Sequence, residues 1–291
     1  MRVTLLGTRG SMPAPGRATA HYGGNTPSVA VRASDGTQLV LDAGTGICRL
    51  VGDIPEDTTR IDILLTHLHM DHIQGLGFFG PLYHPGIAIH IWGPASSTLP
   101  LDSRLTRYLS PPLFPVHLRD LPSVTCHDVP GPAFEIGPFR IQAQLVCHPN
   151  TAVGYRIEAD GAILAYLPDH EPALGQRNGG WREPEWTSGH QLATGADLLI
   201  HDAQFTEEQY AQRVGWGHST YRQAFEFAAR VGARQCVLFH HDPSHDDATL
   251  ERMLEQAIHR FKPPCRVECG CEGRVFELGK LGRKPRARKT A

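Results

Sequence analysis

The sequence predicts an α/β protein in which two mixed β-sheets carry helices on their outer sides, in one domain over residues 1–279. Three observations predict it. Strand-like and helix-like stretches interleave along almost all of the 291 residues, with no tandem repeat and no Ser/Gly-rich linker between them. Asp35-Gly36 and Asp160-Gly161 have the composition of tight hairpin turns between alternating apolar segments, so some strands pair antiparallel. Short apolar strands at 197–200 and 235–239 flank helical stretches instead.

Residues 3–6 read as a strand that ends in Gly7-Thr8-Arg9-Gly10-Ser11, and Pro13, Pro15 and Gly16 then demand a loop. Strands at 28–32 and 38–41 flank the first hairpin turn, and Asp42-Ala43-Gly44-Thr45-Gly46 breaks the sheet before a short helix near 47–51. The apolar stretch 61–65 is a strand, as is 87–92; a helix is expected from about 95 towards 108. Pro111, Pro112 and Pro115 make 111–116 a loop. Segments 139–146, 153–157 and 162–166 alternate as antiparallel strands. Helices follow at 207–213, 221–231 and about 248–260, and two strands close the chain.

Apolar residues are 41% and charged residues 20%, the balance of a globular chain, and no stretch reaches the eighteen or so apolar residues of a membrane span. The apolar run at the N-terminus is too short for a signal sequence, so the expected location is cytoplasmic. Seven scattered cysteines fit a reducing compartment rather than a disulfide framework. Cys265, Cys269 and Cys271 form C-x3-C-x-C; a structural zinc there is weighed below ordinary buried cysteines, with Cys269 and Cys271 expected on one face of a terminal strand. Six basic residues crowd 280–291, and removing them from the net charge of −2 leaves −8 on the rest. The tail reads as a solvated, disordered end, and the acidic body does not look built to track a phosphate backbone.

Directly after the strand at 61–65 comes Thr66-His67-Leu68-His69-Met70-Asp71-His72. Three imidazoles and a carboxylate within six residues at a strand end are hard to explain as packing, and they are the side chains of a metal site. One such loop offers at most four donors, so a pair of ions needs others. His148, Asp169 and His240 each stand just past an apolar strand, the arrangement seen at His67, and His241 is the rival to His240.

This His-x-His-x-Asp-His run, followed at a distance by His, Asp and His, resembles the metallo-β-lactamase fold superfamily over nearly the whole chain apart from the tail. That resemblance implies a four-layer αββα sandwich. It also implies two divalent ions, zinc first with manganese and iron as alternatives: one held by His67, His69 and His148, the other by Asp71, His72 and His240, with Asp169 bridging. The opening Gly7-Thr8-Arg9-Gly10-Ser11-Met12-Pro13, Tyr22-Gly23-Gly24-Asn25-Thr26, His201-Asp202-Ala203-Gln204-Phe205 and Gly217-His218-Ser219-Thr220 are similar to one branch. That branch contains tRNA 3′-processing endonuclease (RNase Z), class II cyclic-nucleotide phosphodiesterases and phosphoribosyl cyclic phosphodiesterase.

The expected chemistry is hydrolysis of a small phosphodiester, cyclic ones included, since two close cations can lower the pKa of a shared water and screen an anionic phosphate. His218 is the candidate acid for the departing alkoxide, with Asp202 as its partner and Ser219-Thr220 capping a helix from Tyr221; Asp71 is counted with the catalytic residues. Asp42 is expected to orient a ligand histidine or to cap the short helix, and Asn25 and Thr26 are candidates for substrate contact or plain turn residues. A tRNA-processing nuclease is the alternative, weakened by the lack of a long basic, glycine-rich insertion. A lactonase or other carbonyl hydrolase is a third reading. The expected partner is thus a small phosphodiester, with nucleic acid less favoured, no membrane, and a homodimer as an option.

Overall fold

Alternation of inward and outward apolar residues builds two seven-stranded sheets. Strands β1 (Arg2–Gly7), β2 (Ser28–Arg32), β3 (Gln38–Leu41), β4 (Arg60–Leu64), β5 (Ala88–Gly93) and β6 (Val124–Asp128) belong to the first. The second holds β7 (Ala133–Ile136), β8 (Phe139–Leu145), β9 (Val153–Ala159), β10 (Ala162–Leu167), β11 (Leu198–Asp202), β12 (Gln235–Phe239) and β13 (Arg266–Cys269). Strand β14 (Val275–Glu277) returns to the first sheet beside β1. The structure is a computed structural model that describes residues 1–129, 131, 133–174, 181 and 183–279. The basic tail at 280–291 lies outside the described residues.

The strand orders are β14-β1-β2-β3-β4-β5-β6 and β13-β12-β11-β10-β9-β8-β7. In each sheet four consecutive strands are parallel, β3 to β6 and β10 to β13, and the others pair antiparallel. Val3 and Leu5 of β1 face Tyr155, Ile157, Leu164 and Val237 across the space between the sheets, while Leu6 points to the opposite side. Among the described residues, six α-helices lie outside: α1 (Met70–Ile73), α2 (Leu101–Leu105), α3 (His190–Ala193), α4 (Glu207–Ala211), α5 (Tyr221–Val231) and α6 (Asp247–Phe261). Ala224, Phe227 and Ala228 of α5 seal the outer face of the second sheet, and the 3-10 run Thr45–Asp53 places Ile47 and Leu50 on that of the first. The result is the four-layer αββα sandwich expected, and the two Asp-Gly hairpins sit where the sequence puts them.

Three local expectations are corrected. The helix expected from 95 to 108 shrinks to α2, because Ser96 and Thr98 bond each other and the local backbone, and the helix starts only after Pro100. Strands β6 and β7 go unread in the sequence: they are half-exposed and lie at sheet edges, so Thr125, His127 and Asp128 give no apolar alternation. Cys271 lies past the end of β13, not on a shared face with Cys269, whose buried thiol meets the Tyr221 hydroxyl at 3.5 Å. Among the described residues, no group of close metal-type ligands includes a cysteine, and no helix is long and apolar enough to cross a membrane.

Candidate metal centre

Because β1, β4, β8, β10, β11 and β12 run in the same direction as the parallel strands of their sheets, their carboxyl ends open on one rim of the sandwich. The chain leaving β4 carries His67, His69, Asp71 and His72; those leaving β8, β10 and β12 carry His148, Asp169 and His240; and β11 ends in Asp202. Two of these ends turn sharply. Asp42, just past β3, and His240, just past β12, have φ of 56° and 60°, a conformation that costs a side-chain-bearing residue on the order of 1 kcal/mol and here aims each side chain inward. Gly10 lies so close that a Cβ there would sit 2.4 Å from His240 Nδ1, so only glycine lets the first loop pass.

The seven candidate ligands fall into two groups, His67 with His69 and His148, and Asp71 with His72, Asp169 and His240. Asp169 lies between them: Oδ1 is 3.0 Å from His72 Nε2, while Oδ2 is 3.3 Å from His240 Nε2, 3.8 Å from His67 Nε2 and 3.9 Å from His148 Nε2. His240 Nε2 is also 3.1 Å from Asp71 Oδ2, and His148 Nε2 stands 3.3 Å from His69 Nδ1. A tetrahedral ion with bonds of about 2.1 Å spaces its ligand atoms about 3.4 Å apart, so these separations suit a cation between the atoms.

Hydrogen bonds from behind fix which ring nitrogen faces inward. His72 Nδ1–H donates to Asp42 Oδ2 at 2.8 Å, His67 Nδ1–H to Thr66 Oγ1 at 3.1 Å and His148 Nδ1–H to the Gly217 carbonyl at 3.1 Å, so that each Nε2 is the nitrogen turned inward. Asp42 is fully buried and is tied further by the Thr66 amide and hydroxyl and by the Tyr166 hydroxyl. It does not cap the following 3-10 run, whose N-cap is Gly44. His67 Nε2 is buried without a hydrogen-bond partner, and His72 Nε2 and Asp169 Oδ1, 3.0 Å apart, have no hydrogen bond to any other group, a costly state in a core unless something else satisfies them. The donor set of imidazole and carboxylate fits a divalent ion.

Electrostatics divide the two groups in the same way. Burial, helped by His72 and His148, pushes His67 well below its ordinary pKa, and burial also lowers His69 and His148, so this group keeps bare ring nitrogens. Burial opposes charge on Asp169 and Asp71 too, yet His240, His72 and His67 hold Asp169 well below the usual carboxylate range, and His72 and His240 do the same for Asp71. Against the pull of burial, Asp169 and its neighbours keep His72 and His240 above the ordinary histidine value. Without a cation, this second group draws in protons where a metal's charge would stand.

Next to the ligands stands His218, whose Nδ1–H donates to Asp202 Oδ2 at 2.7 Å and whose ring stacks on His240 at a centroid distance of 4.9 Å. Asp202 Oδ1 accepts the Ser219 amide, and Thr220 caps α5 in a capping box with Gln223, so one loop ties His218, Asp202 and the helix together. His241, in contrast, points away and bonds the Gly270 carbonyl at 2.9 Å. Asn25 gives its amide and side chain to Glu272, and the fully buried Thr26 is bonded to Thr45 and Gln74. Of the nearby aromatic residues, Phe79 and Phe114 are buried, while Phe78 and Trp216 are exposed. Sequence reasoning missed Ser11, whose amide donates to Asp71 Oδ2 at 2.8 Å, Thr66, Tyr166 and Glu171. The Gly-Thr-Arg-Gly-Ser opening is the one signal that could have flagged Ser11.

With the geometry in hand, comparison with known proteins is decisive: residues 37–241 match the model of the beta-lactamase superfamily domain. This chain belongs to the beta-lactamase superfamily. As a member it is a metal-dependent hydrolase whose fold implies divalent ions at the His/Asp cluster. It is similar to the Ribonuclease Z of Myxococcus xanthus (strain DK1622), 27% identical over 318 residues that cover 96% of this chain and 98% of the relative. In fold it is similar to the metallo-beta-lactamase fold protein YhfI from Bacillus subtilis, with a TM-score of 0.69, 21% identity and coverage of 94% and 98%. A diphosphatase from the PhnP family gives a TM-score of 0.67, 19% identity and coverage of 95% and 97%.

Proposed function

We propose that the chain is a phosphodiesterase that uses two divalent ions, zinc before manganese or iron, to hydrolyse a small phosphodiester, cyclic ones included. The observation that carries this reading is His218. It is bound to Asp202 and stacked on His240, with Nδ1 4.0 Å from Asp169 Oδ2, so a proton donor stands beside two ligand groups that share one carboxylate. Ions at those groups would supply Lewis acidity towards the phosphoryl oxygens and a water of lowered pKa.

The chain's own residues do the rest. His67, His69 and His148 present neutral nitrogens, Asp71, His72 and His240 complete the second set, and Asp169 turns an oxygen to each. Asp42 and Thr66 keep His72 and His67 in the tautomers that face inward. His218 gives its Nδ1–H to Asp202, which orients the ring so that Nε2 is the nitrogen that would hand a proton to the departing oxygen. In-line attack at phosphorus puts the departing alkoxide on the side away from the attacking water, which is where a separate acid is needed. A second reading, 3′-processing of tRNA, is favoured by the near full-length likeness to Ribonuclease Z; the absence of a long basic insertion in the sequence speaks against it.

Zinc-loaded protein tested on bis-p-nitrophenyl phosphate, 2′,3′- and 3′,5′-cyclic nucleotides, a tRNA precursor and a lactone separates the readings. Turnover of a small phosphodiester is expected. Cleavage of the tRNA precursor alone would favour the second reading, and lactone turnover with inert phosphodiesters would reject both.

A further inference from the structure

Two residues beyond Asp169, Glu171 is a fully buried carboxylate that makes no ion pair among the described residues. Its oxygens are satisfied by α4 and the loop that follows it: Oε1 accepts the Tyr210 hydroxyl at 2.8 Å and the Gly215 amide at 2.9 Å, and Oε2 accepts the Gly217 amide at 2.8 Å. Its own amide donates to the Cys147 carbonyl at 2.9 Å, next to His148. The loop it grips delivers two groups to the centre. The Gly217 carbonyl takes the His148 Nδ1 proton, and the next residue is His218.

Gly217 shows how tight the fit is. Its φ is +88°, and a Cβ there would stand 2.1 Å from His148 Nδ1. A peptide this close to the ring must be held from behind, and the contact that holds it is the Gly217 amide on Glu171. A buried carboxylate that collects backbone N–H groups is a strong, directional anchor, because each such bond is charge-assisted and screened from water.

We infer that Glu171 is a positioning residue for the reaction: through Gly217 it sets the tautomer and orientation of His148, and through the same peptide it sets the place of His218. It touches neither metal nor substrate. One carboxylate thereby couples a ligand of the first ion to the proton donor. The kinetic half of this inference rests on the phosphodiesterase reading, and the metal half stands without it.

The test compares Glu171→Gln with the wild-type protein, each stripped of metal and refilled with Co(II), whose visible spectrum reports ligand geometry. Glutamine keeps the size but sets an NH2 where a backbone N–H needs an acceptor. Expected are a loss of Co(II) affinity of about 10- to 100-fold, as for other partners of metal ligands, and a changed visible spectrum. With it should come a fall in kcat that is larger for an alkyl leaving group than for p-nitrophenolate, with KM within about threefold. Glu171→Asp, which keeps a carboxylate, should recover part of each loss; should the glutamine variant fail to fold, the aspartate variant is read by the same measures. Wild-type Co(II) affinity, spectrum and leaving-group dependence would overturn the inference, even with a lowered Tm. If the wild-type protein cleaves no phosphodiester, the phosphodiesterase reading falls, and the Co(II) measurements alone decide on Glu171.

Discussion

Asp42→Asn is the substitution that separates the support of the metal centre from its ligands. Asp42 lies at φ 56°, a conformation asparagine adopts more readily than most residues, so the change adds little backbone strain, whereas alanine would add some on the order of 1 kcal/mol. The side chain keeps its shape but loses its charge and one acceptor. Four donors converge on it now: His72 Nδ1–H at 2.8 Å, the Thr66 amide at 2.7 Å, the Thr66 hydroxyl at 2.9 Å and the Tyr166 hydroxyl at 3.0 Å. Asparagine has one acceptor oxygen, and keeping it on the Thr66 amide turns its NH2 towards His72 and Tyr166. His72 must then give up the Nδ1–H tautomer that leaves Nε2 free. Loss of such a partner costs about 10- to 100-fold in metal affinity, or roughly 1.4–2.7 kcal/mol. Competition with a fluorescent chelator measures it, at pH 7.5 and again at pH 6.5. The effect should fall on one of two ions, because His67, His69 and His148 do not touch Asp42. Unchanged affinity for every ion would refute the assignment of Asp42 as the residue that orients His72.

Three further outcomes are expected. Asp169→Ala should lower the metal content towards one ion or none and remove most turnover, as read by elemental analysis beside a rate assay; full occupancy with normal rate would reject its bridging place. His218→Ala should keep the metals and slow hydrolysis by about a hundredfold or more, with a poor leaving group suffering more than p-nitrophenolate, and equal losses would count against proton donation. In the metal-free protein, burial pushes His201 down to about 4 while the unfolded chain titrates near the ordinary value of about 6.5. A depressed folded pKa means stability that is present above pH 6.5 and lost as pH falls towards 4, by up to about 3 kcal/mol. Urea unfolding of His201→Asn, which can keep the bond from Nδ1 to the Asp202 carbonyl, should show a shallower acid slope than the wild type.

Much of this centre is legible in the sequence because its ligands are local or follow a rule. His67, His69, Asp71 and His72 are adjacent, and His148, Asp169 and His240 each follow an apolar strand, so strand recognition alone brings them to one rim. Asp202 and His218 sit 16 residues apart and meet only because β11 and the start of α5 share that rim. The contacts that stay hidden have a common physical source. Nothing near Asn25 announces that Glu272, 247 residues away, takes its side chain. Thr26 reads as a turn residue but is buried beneath Thr45 and Gln74. Glu171 looks like one more acid in a polar loop until the Gly215 and Gly217 amides are seen on it. Edge strands β6 and β7 escape for the opposite reason, since strands that bury little need little apolar pattern.

A titration of metal-free protein with zinc, followed simultaneously by turnover of bis-p-nitrophenyl phosphate, tests the central claim most directly. The account predicts that hydrolysis develops as the second equivalent binds, at about two ions per chain, and that a chelator abolishes it. Full phosphodiester turnover with one ion or none, or two bound ions with no turnover of any phosphodiester, would contradict it.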